Sequence, residues 1–103
     1  MSELLDKEFN RIVGEVLKNK RERKGISLQE LSNKIKNKVS RQTINKYENN
    51  LSNIRNDVFI AICQALGEYP PDVYEEISLK YMRFVNEKKH EIMKEVNNEN
   101  RNA

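Results

Sequence analysis

The sequence predicts an all-α fold of five helices, the last of them long. Three observations carry this. Only 3 Gly and 2 Pro occur in 103 residues, so few positions break a helix. Apolar residues recur at three- and four-residue spacing rather than in alternation. Hydrophobic residues make up 37% of the chain and charged residues 34%, which suits a thin core under charged helices. The length allows one domain with a modest core and little more.

Each helix has its own signals. Leu5, Phe9, Ile12, Val13, Val16 and Leu17 form one apolar stripe, which continues into the basic run Lys18–Lys24 and stops at Gly25. Ser27-Leu28-Gln29-Glu30 reads as a capping box ahead of a short helix carrying Leu28, Leu31 and Ile35. Lys36-Asn37-Lys38 makes a polar turn, with Asn37 suited to a left-handed conformation. Ser40 caps a third helix from Arg41 to about Asn49, with Ile44 and Tyr47 inward. Asn49–Asn53 is a loop by composition. Asn56-Asp57 open a fourth helix with Val58, Phe59, Ile62, Cys63 and Leu66 inward, closed by Gly67. Pro70-Pro71-Asp72 start the last helix, expected to reach about Asn97 before a frayed tail.

Charge is unevenly spread. The net charge is +3, but residues 18–46 hold 10 basic residues against Glu22 and Glu30 alone. A polyanion is the partner such a segment fits. The single Cys63 has no internal disulfide partner, which points to a reducing compartment. No stretch approaches the apolar length of a membrane span, so a cytoplasmic protein is expected. No Ser/His/Asp set, Cys-x-x-Cys pair or Gly-rich phosphate loop is present, and His90 stands alone. Neither an enzyme nor a metal or cofactor site is therefore expected.

The run Leu28–Ile35, a turn, and then Val39–Asn49 resembles the phage Cro/repressor (XRE) type of helix-turn-helix. Arg21–Ser27 resembles the end of that family's first helix, and Ile62–Gly67 its fourth. The likeness spans about Val13 to Ile77. It implies a DNA-binding domain over residues 1–78, including an N-terminal helix extension, and a helical extension with a tail over 79–103. It also implies roles by position. Arg41, Gln42, Lys46 and Asn45 fall at base-reading positions. Ser40, Thr43, Gln29, Lys38, Asn49, Asn50 and Arg55 fall where phosphates are in reach. Arg21 and Glu48 fall where the family pairs helix one with the end of the recognition helix; an exposed pair would add only ~0–1 kcal/mol. The chemistry agrees, since Arg suits guanine O6/N7 and Gln suits adenine N6/N7. The sequence departs from the family in three places. Ser32 stands where a small Ala is usual, Leu28 where a Gln is common, and a longer, Gly-free Lys36-Asn37-Lys38 replaces the usual turn.

Sequence-specific binding of double-stranded DNA is the function this implies, as a transcriptional regulator of repressor type acting as a homodimer. The last helix exceeds what such a domain needs. Tyr81, Phe84, Val85, Ile92 and Val96 offer a dimer contact, joined by Leu4 and Leu5 and interrupted by Lys88 and Glu95. Two alternatives use the same segment differently: an antitoxin that binds both operator and toxin, and a protein-interaction or RNA-binding module that kept the fold without DNA binding.

Overall fold

The structure, a computed structural model, describes the backbone of residues 2–102 and the side-chain surroundings of residues 3–91, 93 and 94. Its elements are α1 (Ser2–Arg23), α2 (Leu28–Lys34), α3 (Arg41–Glu48), α4 (Asn56–Ala65) and α5 (Pro70–Asn102), with no strand among the described residues. The last helix runs past Asn97, because nothing after Pro71 breaks it. Its 33 residues make it about 50 Å long, and the molecule measures 61 Å on its longest axis.

One core holds the helices together. The α1 stripe contributes Ile12, Val13, Val16 and Leu17; α2 gives Leu31, with Ile35 at its cap; α3 gives Ile44 and Tyr47. Val58, Phe59, Ile62 and Cys63 from α4, Leu66 at its cap, and Val73 and Ile77 from α5 complete it. Helices α1 and α5 run antiparallel: Lys20 faces Glu76 near one end, and Phe9 meets the Tyr81 ring edge-on at 5.2 Å nearer the other. Tyr81 thus packs against this chain's own core, while Leu79, Met82 and Met93 stand exposed along α5. Tyr69 and Tyr74 are also exposed.

Four helix ends close in the same way. After α1, α2, α3 and α4 a residue with positive φ lets the chain turn back: Gly25, Lys36, Asn50 and Gly67. In each case two backbone N–H groups then reach orphaned carbonyls of the last turn. After α2, for example, Lys36 N–H donates to Asn33 at 2.9 Å and Asn37 N–H to Ser32 at 2.8 Å. Glycine adopts this conformation freely, whereas a lysine does so at a cost of about 1–2 kcal/mol.

Candidate nucleic-acid interface

Helix α3 is defined first by its caps. Ser40 Oγ accepts the Thr43 N–H at 3.2 Å, and Ser27 Oγ does the same for Glu30 at the start of α2, at 3.0 Å. The reciprocal Glu30 side-chain bond of a full capping box is absent among the described residues. With Ile44 and Tyr47 turned into the core, the helical period leaves Arg41, Gln42, Asn45, Lys46 and Asn49 on the outer face, all exposed.

Two contacts hold α3 against α1. Arg21 donates twice to Glu48, from Nε to Oε2 at 2.7 Å and from Nη2 to Oε1 at 2.9 Å, and its Nη1 donates to the Ile26 carbonyl at 2.7 Å. Both residues are buried, each with 9% of its surface exposed. The value for an exposed pair therefore does not apply; removing one partner from a buried pair typically costs 3–5 kcal/mol. The hydrogen bonds to Glu48 raise the Arg21 pKa above its ordinary value in spite of desolvation. The second contact is a close approach. A Cβ on Gly14 would overlap the Tyr47 carbonyl oxygen and lie 3.1 Å from that of Glu48. No other residue type fits beneath the end of α3. The clue in the sequence was a lone glycine inside a strong helical stripe, where it costs about 1 kcal/mol and so has a packing reason.

Gln29, Arg41 and Gln42 come together. They line two adjoining grooves, one shared with Ser27 and Asn45 and the other with Ser32, Asn37 and Ser40. Arg41, Gln42 and Lys46 make no side-chain hydrogen bond or ion pair among the described residues, and so present free donors. The other candidates, Asn50 apart, are engaged. Asn49 Nδ2 donates to Asn45 Oδ1 at 2.9 Å, and Gln29 Nε2 to Asn33 Oδ1 at 3.0 Å. Ser40 Oγ lies 3.0 Å from Thr43 Oγ1. Lys38 and Arg55 both reach Asp57, at 3.3 and 3.2 Å, in the first turn of α4. Desolvation would raise the Asp57 pKa, but these two cations outweigh it and hold the carboxyl below its usual range. Asn50, left-handed and exposed, closes α3.

The turn between α2 and α3 rests on Ser32 of α2, whose importance the sequence conceals. Both Lys36 and Asn37 have φ of 55°, so the left-handed stretch is longer than Asn37 alone. Ser32 is 2% exposed, and its hydroxyl donates to the Val39 carbonyl at 2.8 Å with Asn37 Oδ1 3.2 Å away. Two departures from the family pattern, the serine and the long turn, are thus in direct contact.

The family model described as Helix-turn-helix matches residues 17–74. Among solved structures, the chain is similar to the clp gene regulator ClgR from Corynebacterium glutamicum. One crystal structure gives a TM-score of 0.67 at 21% identity, covering 82% of this chain and 88% of that one. A second gives 0.62 at 25% identity, covering 70% and 91%. No curated protein matches.

Proposed function

This chain belongs to the Cro/C1-type helix-turn-helix family, and on that premise we propose that it is a sequence-specific, homodimeric DNA-binding repressor of the cytoplasm. The observation that carries this reading is the outer face of α3. Arg41, Gln42 and Lys46 are exposed and unpaired among the described residues, on a helix locked by a buried ion pair. Free, preoriented donors on a short capped helix are what major-groove reading requires. The likeness to a gene regulator at 25% identity supports the same class. Among the described residues no helix is long and apolar enough to cross a membrane.

Base reading is assigned to Arg41, Gln42, Lys46 and Asn45, and phosphate contact to Ser40, Thr43, Gln29, Lys38, Asn49, Asn50 and Arg55. One such helix reads too few base pairs to single out a genomic site. A two-fold dimer places two of them about 34 Å apart, one turn of DNA. The spare element for dimerisation is α5, whose exposed Leu79, Met82 and Met93, with Leu4 from α1, offer apolar surface. Ile92 and Val96, also expected there, and Glu95, expected to interrupt the contact, lie outside the described side chains. Occupying a promoter against polymerase needs no further domain.

Selection from random duplexes tests the reading. The expected product is a two-fold sequence with half-sites one turn apart. Arg41→Ala or Gln42→Ala should cost roughly 1–3 kcal/mol and relax one base position per half-site. Enrichment of no sequence would overturn the assignment. Asymmetric single sites would overturn the dimer and leave α5 to a different protein partner.

A further inference from the structure

We propose that Ser32 is a positioning residue for base recognition, an inference that rests on the reading of α3 as the DNA-reading helix. Helix α3 is eight residues long, about 12 Å, and is held by polar contacts near both ends. At the C-terminal end Arg21 grips Glu48. At the N-terminal end the buried Ser32 hydroxyl holds the Val39 carbonyl, one residue before the Ser40 cap. Among the described residues this is the one hydrogen bond from α2 that reaches past the left-handed pair Lys36-Asn37 to the start of α3. The turn's other bonds stop short of α3: Ser32 Oγ to Asn37 Oδ1 at 3.2 Å, and backbone bonds such as Asn37 N–H to Ser32 and Lys38 N–H to Ile35. The Ser32 hydroxyl therefore sets where the first turn of α3 begins relative to α2.

The consequence is specific to position. Arg41 and Gln42 occupy the first turn, next to the Ser32 contact, whereas Lys46 sits next to the Glu48 anchor. Without the Ser32 hydroxyl α3 pivots about its Arg21–Glu48 end. A hydrogen bond to a base edge keeps its strength over only a few tenths of an ångström. Reading by Arg41 and Gln42 is then lost while reading by Lys46 persists.

The test compares the full chain, Ser32→Ala and Ile77→Val in selections on random duplexes. Ile77 is 1% exposed in α5, outside the candidate interface, so its variant lowers stability without touching the turn. Amide exchange on α3 is measured without DNA in the same three proteins. For Ser32→Ala, discrimination at the Arg41 and Gln42 base positions should fall about fivefold or more. Discrimination at the Lys46 position should hold, and amides in the first turn of α3 should exchange faster than in Ile77→Val. An equal loss at all positions, or the same loss in Ile77→Val, would show a general stability effect and overturn the proposal. A wild-type chain that selects a sequence alongside an unchanged Ser32→Ala profile overturns the proposal alone. A wild-type chain that selects nothing overturns the DNA-reading premise and the proposal together.

Discussion

Replacing Gly14 by Ala sets two effects against each other, and their sizes decide the outcome. In an isolated helix the change would help, since Ala is favoured over Gly by about 1 kcal/mol. In the fold the new methyl overlaps the Tyr47 carbonyl oxygen and crowds that of Glu48 at 3.1 Å. These are backbone atoms at the end of a helix, so no side-chain rotation relieves the clash. Helix α3 must retreat by about 1 Å to restore ordinary contact. That retreat stretches the 2.7 and 2.9 Å bonds from Arg21 to Glu48 beyond useful length. Overpacking costs about 1–3 kcal/mol, and weakening a buried ion pair adds part of the 3–5 kcal/mol that breaking it costs. The net expectation is a loss of about 3 kcal/mol, a large share of the ~5–15 kcal/mol such a domain has. Urea unfolding followed by far-ultraviolet circular dichroism should show the midpoint falling by roughly 1–2 M. A midpoint at or above that of the wild type would mean that helix propensity dominates and that Gly14 has no role as a seat for α3.

Three further changes have defined expectations. Glu48→Ala leaves the buried Arg21 guanidinium without its hydrogen-bonded carboxylate, with only the exposed Glu22 3.9 Å away, and should cost about 3 kcal/mol in the same assay, against near zero if the pair were solvated. Lys36→Gly relieves the left-handed strain and, after allowing for the freer unfolded chain, should raise Tm by about 2–6 °C in calorimetry; a fall would show that the lysine side chain supports the turn. Burial, with a smaller push from Glu68, raises the Cys63 thiol to about 11 from an ordinary 9.0. Below pH 9 the thiol is neutral in both states and costs nothing. Between pH 9 and 11 the unfolded chain releases the proton and the folded chain does not, so stability falls as pH rises. Cys63→Ala should flatten that part of the stability–pH curve; an unchanged slope would assign it to other groups.

Much of this architecture was legible in the sequence because its signals are local. Ser27 and Ser40 mark helix starts, Gly25 and Gly67 mark helix ends, and the apolar stripes identify the inward faces. What escaped depends on distant partners or on unusual conformations of ordinary residues. Gly14 is explained by carbonyls of Tyr47 and Glu48, which a periodicity reading of α1 never meets. Lys36 adopts a left-handed conformation that its residue type does not announce. Ser32 passes for a mild substitution until its hydroxyl is seen beneath the turn. The burial of Arg21 and Glu48 decides their energetic weight, and a residue pattern does not report burial of charged groups.

The cluster of Lys38, Arg55 and Asp57 changes how the edge of this surface meets a polyanion. A tally of basic residues counts two positive charges there, but with the carboxylate between them the trio presents a net charge of one. At separations larger than those within the trio but still inside a Debye length, that single charge is what a polyanion senses, so steering from this edge is weaker and falls off less with added salt. At close range the balance reverses. Both cationic side chains are already drawn toward one point by Asp57, and less rotational freedom would remain to be lost if, as proposed for Lys38 and Arg55, a phosphate oxygen took the carboxylate's place. This corner of the molecule exchanges long-range attraction for readiness on contact.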